Sequence, residues 1–289
     1  MGERADIAVM FFNKYKKAMI RILIALLMIV AIIIYSNLLK VVDYKFDNIG
    51  YQSDKALNIA LITDLHACYY GDNQKWLIDS LKQKQPDVIL LGGDIYDDKM
   101  PFDNADELLS QLPNIAPTYY VDGNHENWLS QEDYNKVMTK IHTHGVSIIH
   151  GKSIFVPNTN VVIHGISDPD GGAFDTDLKI VTDKLNNDTG KNHVHILLTH
   201  RPEHIDMYLN YPFDIIMAGH AHGGQWRVPF VINGVYAPNQ GLFPKYAGGL
   251  YEFANDNNTK FIVSRGLARE STRVPRLFNR PELVFVSLE

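Results

Sequence analysis

Apolar residues occur along this chain in one long run near its start and in many shorter runs after it. Every residue in 22–35 is apolar or aromatic, and the run continues more weakly to Leu39. As a helix, the 18 residues of 22–39 would be about 27 Å long, close to the ~30 Å hydrocarbon core of a bilayer. A helix on the surface of a soluble core would show an amphipathic period, which this run lacks. We therefore predict a transmembrane anchor at 22–39.

The charges that flank this run predict which way the anchor is inserted. Residues 1–21 contain five basic and two acidic residues, whereas only Lys40 and Lys45 follow the run closely. Under the positive-inside rule, residues 1–21 lie in the cytoplasm and the chain beyond Leu39 lies outside the cell membrane. A cleavable signal peptide is the competing interpretation. Its apolar region usually spans about 7–15 residues and ends at a small-x-small site, and no convincing site of that kind closes this run.

The shorter apolar runs are typical of buried β-strands that end in polar or glycine-rich turns. They occupy residues 57–62, 88–91, 118–121, 194–198 and 215–218. Residues 73–84 and 104–112 lie between these runs and are predicted to be helices. Residues 146–166 and 248–263 are predicted to be antiparallel hairpins. Such a mixture predicts an α/β fold of layered α+β type, in which helices cover the sheets. We expect a linker or edge strand at 40–56 and one domain at 57–289.

The composition limits the classes of protein to which the chain can belong. Of its 289 residues, 46% are hydrophobic and 21% are charged, which excludes extensive disorder. The single cysteine, Cys68, excludes an intramolecular disulfide framework and a thiolate-bound structural zinc. Residues 1–21 carry a charge of +3 and the remainder carries −9, so that the net charge is −6. An acidic domain of this kind is not expected to bind nucleic acid.

Polar side chains that are suited to metal binding follow each of the five short runs. They are Asp64, His66, Asp94, Asn124, His125, His200, His220 and His222. Open α/β sheets place their sites at the C-terminal ends of strands, where these residues lie. Carboxylate, amide and imidazole groups without thiolate suit Mn²⁺, Fe²⁺/³⁺, Zn²⁺ or Mg²⁺. If the backbone there is extended, both members of each Asp-x-His or His-x-His pair point to one side.

These residues form five ordered blocks that resemble the signature of the calcineurin-like metallophosphoesterases. The blocks are Asp64-x-His66, Gly93-Asp94, Gly123-Asn124-His125-Glu126, His200 and Gly219-His220-x-His222. The resemblance implies a β-sandwich flanked by helices. Residues 219–225, 248–251 and 264–267 further resemble a bacterial membrane-anchored branch of the family. Some members of that branch are similar to enzymes that cleave the pyrophosphate bond of UDP-2,3-diacylglucosamine.

One departure from the family narrows the expected activity. Ser/Thr protein phosphatases of the superfamily follow their Gly-Asp block with an Asp-Arg-Gly run, whereas this chain continues as Asp94-Ile95-Tyr96-Asp97-Asp98-Lys99. The arginine that would hold phosphate at this place is absent. The departure therefore counts against a protein phosphatase.

The resemblance also implies a role for each residue of the blocks. Two divalent metal ions are expected, with Asp64, His66 and His222 on the first, Asn124, His200 and His220 on the second, and Asp94 bridging both. A hydroxide shared by the two ions would attack the phosphorus. His125 would act as the general acid that protonates the leaving group. A nearby carboxylate would favour the protonated form of His125, and the sequence offers Asp64, Glu126 or Asp97.

Together these features predict a membrane-anchored, dimetal phosphoesterase that hydrolyses phosphodiester or pyrophosphate bonds. Because the anchor keeps the site near lipid headgroups, lipid-linked or envelope-precursor phosphate esters are candidate substrates. UDP-2,3-diacylglucosamine is met on the cytoplasmic side, which conflicts with the orientation predicted above. Two alternatives stay open. One is a phosphodiesterase for soluble cyclic nucleotides or nucleic acid, and the other is a non-catalytic binding module, in which broken ligand blocks would be expected.

Overall fold

A computed structural model describes residues 2–188, 192–271 and 274–289 of the chain, with side chains described from Tyr15 onward. The side chains of Arg4 and Lys14, which belong to the predicted cytoplasmic segment, lie outside the described residues.

The described residues form seven α-helices and fourteen β-strands. The helices are α1 (Gly2–Asn37), α2 (Lys75–Lys84), α3 (Asp103–Leu109), α4 (Asn124–Asn127), α5 (Gln131–Thr143), α6 (Phe174–Asn187) and α7 (Ile205–Tyr208). The strands are β1 (Lys40–Phe46), β2 (Leu57–Ile62), β3 (Val88–Gly92), β4 (Thr118–Val121), β5 (Ser147–Ile148), β6 (Lys152–Phe155), β7 (Val161–Gly165), β8 (Val194–Leu198), β9 (Ile215–Ala218), β10 (Tyr236–Ala237), β11 (Gly241–Leu242), β12 (Gly249–Glu252), β13 (Lys260–Val263) and β14 (Glu282–Leu288). The five apolar runs of the sequence form β2, β3, β4, β8 and β9.

The strands are arranged in two six-stranded sheets and one short hairpin. The order is β1-β14-β2-β3-β4-β5 in the first sheet and β12-β13-β9-β8-β7-β6 in the second, and β10 pairs with β11. β6–β7 and β12–β13 are antiparallel, which confirms part of each expected hairpin region. β5, however, pairs in parallel with β4, and β7 pairs in parallel with β8. The hairpin prediction for 146–166 is therefore wrong only at its start, where β5 joins the first sheet, because short strands alternate in the same way whichever partner they join.

Each sheet is covered on both faces, which produces a sandwich flanked by helices. The layer between the sheets is apolar and includes Ile59, Leu61, Ile163 and Ile196. The outer face of the first sheet packs against α2, α3 and α5, and that of the second packs against α6 and α7. Strands that are buried on both faces need apolar residues at successive positions. This requirement explains why the runs are continuous instead of alternating with polar residues.

Helix α1 meets the sandwich at the edge where the parallel strands end. β1 runs parallel to β14, and β14 runs antiparallel to β2, with Lys40 beside Glu282 and Val284 beside Leu61. The start of β1 therefore lies close to the C-terminal end of β2. The backbone N–H of Phe278 donates to Ser36 Oγ at 2.9 Å and holds the end of α1 in place.

The first helix is long and apolar enough to cross a membrane. The qualifying stretch is Tyr15–Asn37, and none of its most apolar window is buried inside the protein. Length and composition therefore fit a membrane span.

The loop after β13 approaches Asp64 so closely that it requires glycine. Gly266 has a φ of +65°, and a Cβ on it would lie 2.5 Å from the Cβ of Asp64. The neighbouring N–H of Leu267 donates to the Asp64 carbonyl at 3.1 Å. Gly172 shares the positive φ, at +78°, but a Cβ there would have nothing within 4 Å.

Gly266 and Gly172 provide a matched test of the close packing between this loop and Asp64. Gly266→Ala should lower the free energy of unfolding by about 2–5 kcal/mol, because the left-handed conformation costs alanine about 1–2 kcal/mol and overpacking adds about 1–3 kcal/mol. Gly172→Ala should lose only the ~1–2 kcal/mol that the left-handed conformation costs alanine. Denaturant titration of the full chain in detergent measures both. Equal losses in the two variants would contradict the close packing of this loop on Asp64.

Candidate metal centre

The seven side chains predicted as ligands meet at one edge of the sandwich. Asp64 and His66 follow β2, Asp94 follows β3, and Asn124 begins α4 after β4. On the second sheet, His200 follows β8, and His220 and His222 follow β9. All seven side chains are buried. The structure thus brings together every residue that the sequence analysis assigned to the two metals.

The backbone of this cluster is not extended. Asp64, His66, Asp94, His220 and His222 all have positive φ angles, between 46° and 65°. The pairs Asp64/His66 and His220/His222 therefore converge through turns, and the extended geometry considered for them is wrong. Left-handed conformations are uncommon outside glycine and collect at functional sites.

Hydrogen bonds between the loops hold these turns in place. The N–H of Asp64 donates to the Gly93 carbonyl at 3.0 Å, and that of His66 donates to the Asp94 carbonyl at 2.9 Å. The N–H of His220 donates to Asp64 Oδ1 at 2.8 Å and links the two sheets. The loops after β2, β3 and β9 are therefore fixed relative to one another.

The ligand atoms form two groups that share Asp94. Those of Asp64, His66, Asp94 and His222 lie within 4.8 Å of one another, and so do those of Asp94, His200 and His220. Asp94 Oδ2 is 3.5 Å from His66 Nε2 and 3.2 Å from His200 Nε2. One carboxylate is thus placed between two imidazole-rich groups.

Every one of the seven side chains has a buried polar atom with no hydrogen-bond partner among the described residues. These atoms are Asp64 Oδ2, His66 Nε2, Asp94 Oδ2, Asn124 Oδ1, His200 Nε2, His220 Nδ1 and His222 Nδ1. Buried polar atoms are normally paired, because leaving one unpaired costs about 1–3 kcal/mol. All seven can donate an electron pair to a cation. The residues present therefore fit a pair of divalent metal ions.

The opposite nitrogens of three histidines are occupied, which orients the rings. His66 Nδ1 is 2.8 Å from Asp97 Oδ2, and His200 Nδ1 donates to the Gly92 carbonyl at 2.8 Å. His220 Nε2 is 2.9 Å from Asn239 Oδ1. Such contacts fix the ring and leave the other nitrogen for the metal.

Burial and neighbouring charges set the ionisation of the cluster. Burial holds the pKa of His220 and of His222 well below its usual range, so both rings are neutral, the form that binds metals. Burial raises the pKa of Asp64. Burial opposes ionisation of Asp94 as well, but His200 and His66 hold its pKa well below the usual range. The Asp94 carboxylate is therefore the permanent negative charge of the centre.

His125 lies beside the cluster, at the wall of a cavity of about 320 Å³ that also exposes His66 and His222. Its Nδ1 is 2.7 Å from Asp98 Oδ1 and 3.3 Å from Asp97 Oδ2. Burial opposes protonation, but the bond with Asp97 and the charge of Asp94 outweigh it and raise the pKa of His125 to about 9. Of the three carboxylates that the sequence analysis offers as partners of His125, Asp97 contacts it. Asp98, which also contacts His125, is not among those three.

Glu126, another of those carboxylates, instead joins two loops of the centre. Its two oxygens accept hydrogen bonds of 2.7–2.9 Å from the backbone N–H groups of Asp94, Ile95, Tyr96 and Gly123. Burial raises the pKa of Glu126 to about 7. The side chain therefore positions the loop that carries Asp94 against the start of α4. Sequence reasoning did not identify this role.

Arg201 is also buried, and it does not line the cavity beside His125. Its guanidinium pairs with Asp168 at 2.5 and 2.9 Å, and its Nη1 is 3.2 Å from His220 Nε2. It therefore supports a predicted ligand, His220, from the side away from the cavity.

Comparison with known proteins agrees with this centre. A profile of the family described as Calcineurin-like phosphoesterase matches residues 57–224, more than half of the chain. The chain is 28% identical over 210 residues to "Phosphodiesterase YaeI" of Escherichia coli (strain K12), covering 71% of this chain and 72% of that protein. It is 26% identical over 245 residues to "Uncharacterized metallophosphoesterase YkoQ" of Bacillus subtilis (strain 168), covering 82% of this chain and 85% of that protein.

Among solved structures, a dimetal phosphatase from Danio rerio aligns with 73% of this chain and 88% of its own, at 12% identity and a TM-score of 0.49. The family match covers all five predicted blocks in full. Calcineurin-like phosphoesterases use two divalent metals, and the two ligand groups that share Asp94 accord with that number. The chain therefore belongs to the calcineurin-like phosphoesterase family and is a metal-dependent phosphoester hydrolase.

Proposed function

We propose that this protein hydrolyses phosphodiester or pyrophosphate bonds in lipid-linked or envelope-precursor substrates, from a site that helix α1 anchors to the membrane. The observation that carries the proposal is the set of seven buried, unpaired donor atoms around Asp94. When bound, a pair of divalent cations would lower the pKa of a metal-bound water and neutralise phosphate oxygens.

The ligands divide naturally between two ions. Asp64, His66 and His222 would hold one ion, Asn124, His200 and His220 would hold the other, and Asp94 would contribute to both. The grouping of ligand atoms around Asp94 supports this division. Asn124 is assigned to the second ion by the family resemblance, and its buried, unpaired Oδ1 is available to bind a cation.

His125 is proposed as the general acid. It stands next to Asn124 in the chain, and its ring lies on the wall of the cavity through which a substrate reaches the cluster. Asp97 and Asp98 hold its Nδ1, so its Nε2 is the atom that donates a proton to the leaving-group oxygen. Trp128 packs its ring 4.7 Å from that of His125 and limits its rotation.

The membrane topology completes the proposal. The five basic residues in the first part of α1, before its apolar run, and the few basic residues directly after the run support a cytoplasmic N-terminus and an extracytoplasmic catalytic domain. Protease treatment of intact spheroplasts should degrade the domain, whereas a soluble, shortened product on fractionation would contradict a retained anchor.

Loss of Asp94 should abolish catalysis. The full chain with Mn²⁺ is expected to hydrolyse bis-p-nitrophenyl phosphate, and Asp94→Asn should reduce the rate by about 10³-fold or more because the shared carboxylate is lost. Metal analysis of the same samples should show a loss of bound metal. Asp79→Asn, an exposed carboxylate on α2, is the matched control and should change neither value.

The alternatives give different results in this assay. Absence of hydrolysis by the wild-type chain across several metals and several ester types would favour a non-catalytic module. Faster hydrolysis of cyclic nucleotides than of lipid and nucleotide-sugar phosphodiesters would favour the soluble-substrate enzyme.

Replacement of His125 should separate proton donation from metal binding. His125→Ala should retain its metal but lose about 10²–10⁴-fold in turnover, the usual contribution of a general acid. His142→Ala, an exposed histidine near the end of α5, is the control and should behave as the wild type. A near-normal rate in His125→Ala with normal metal content would overturn the assignment.

A further inference from the structure

A group of large apolar side chains is exposed beside the catalytic cavity. It lies on residues 226–243, which we call the apolar loop. Phe230 is fully exposed, and Val231, Leu242 and Phe243 are 77%, 70% and 66% exposed. Phe230 and Phe243 also have positive φ angles, 65° and 54°. Bulky side chains in this strained conformation are outliers that need an explanation.

The apolar loop is one connected unit. Val228 and Ile232 form an isolated antiparallel bridge, in which the N–H of Val228 donates to the Ile232 carbonyl. The residues between them form a turn whose tip is Phe230. The N–H of Val235 donates to the Trp226 carbonyl at 2.9 Å, and that of Phe243 donates to the Val235 carbonyl at 2.8 Å. The two exposed phenylalanines are therefore held on neighbouring turns.

The apolar loop is joined to the end of the membrane helix through one short segment. Trp226 Nε1 donates to the Pro275 carbonyl at 2.9 Å, and the N–H of Arg227 donates to the Leu277 carbonyl at 3.0 Å. The next residue in that segment, Phe278, is bonded to Ser36 of α1. The loop therefore lies at the point where α1 leaves the sandwich.

Two further contacts strengthen this link. The Arg280 guanidinium donates to the Leu38 carbonyl at 3.0 Å and lies 5.3 Å from the centre of the Tyr35 ring. The loop, the 275–280 segment and the last turn of α1 therefore form one continuous surface.

The charge around the apolar loop also distinguishes it from the rest of the domain. Residues 215–251 contain no Asp or Glu, although the chain after residue 21 carries −9. The same stretch contains two basic residues, Arg227 and Lys245. Exposed aromatic and aliphatic side chains together with basic residues are the composition of segments that lie in the interface of an anionic bilayer.

We propose that the apolar loop is a second membrane contact, in which Phe230, Val231, Leu242 and Phe243 insert into the interface of an anionic phospholipid bilayer beside α1. The inference rests on the membrane anchoring in the proposed function. Tyr236 of the same loop lines the cavity together with His125 and His222. Insertion would therefore hold the mouth of the cavity at the level of the headgroups and direct the enzyme towards phosphodiester bonds of lipids.

The position of the loop can be measured by fluorescence quenching in vesicles. The chain has three tryptophans, and none of them lies in α1. In a background with Trp76, Trp128 and Trp226 each replaced by Phe, two matched reporters are compared, Phe230→Trp and Phe155→Trp. Phe155 is exposed at the far end of β6, beside Val162 near the start of β7. It thus lies at the opposite edge of the second sheet from the metal cluster.

Both reporters are reconstituted as full chains into phosphatidylcholine–phosphatidylglycerol vesicles, with and without bromine on the acyl chains. Phe230→Trp should lose about half of its fluorescence to the bromines, because interfacial apolar groups lie about 5–10 Å into the headgroup–acyl boundary. Phe155→Trp should lose none. If the fluorescence of Phe230→Trp is not quenched, the proposal is overturned, and this includes the case in which a second copy of the chain covers the residue. Equal quenching of the two reporters also overturns it.

The consequence for catalysis is tested in an otherwise wild-type chain. Phe230→Ser/Phe243→Ser should slow hydrolysis of vesicle-bound phosphatidyl-p-nitrophenol by about tenfold, because the site is no longer aligned with the headgroup. Hydrolysis of bis-p-nitrophenyl phosphate in solution should be unchanged. An equal loss on both substrates overturns the proposal. If neither variant nor wild type hydrolyses either ester, the proposed function fails while the quenching result still decides the membrane contact.

Discussion

The carboxylate of Asp94 is the group on which the architecture of this site depends. It is fully buried, it lies within 3.5 Å of His66 and His200, and it belongs to both groups of ligand atoms. Burying a charge is costly unless opposite charges surround it. The surrounding side chains present buried atoms that can bind a cation and have no hydrogen-bond partner among the described residues. A pair of cations would satisfy all of these groups at once.

The sandwich serves this carboxylate by bringing loops from both sheets to one edge. Glu126 binds four backbone N–H groups and joins the loop of Asp94 to α4. The bond from the His220 N–H to Asp64 joins the second sheet to the first. Because the start of β1 lies beside the end of β2, helix α1 emerges at the same edge. The order of the strands therefore places the end of α1 and the candidate metal centre together.

The strands and the set of polar residues could be predicted from sequence because each has a local signal. Buried strands show as uninterrupted apolar runs, and β2, β4, β8 and β9 have the predicted bounds. The turn geometry has no such signal, since Asp64 and His66 are left-handed without glycine at either position. The partners of β5 and β7, and the contacts of Asp98 and Glu126, depend on which loops meet in space. Sequence spacing cannot supply that information.

Anomalous diffraction from crystals of the full chain grown with Mn²⁺ tests the central claim most directly. The account predicts two manganese peaks about 3.5–4 Å apart, both within coordinating distance of the Asp94 carboxylate. A second group of potential ligands, formed by Asp188, His193 and His195, lies between the end of α6 and the start of β8 and provides an internal comparison. A single peak near Asp94, or manganese at Asp188 with none at Asp94, would contradict a dimetal centre built on this carboxylate.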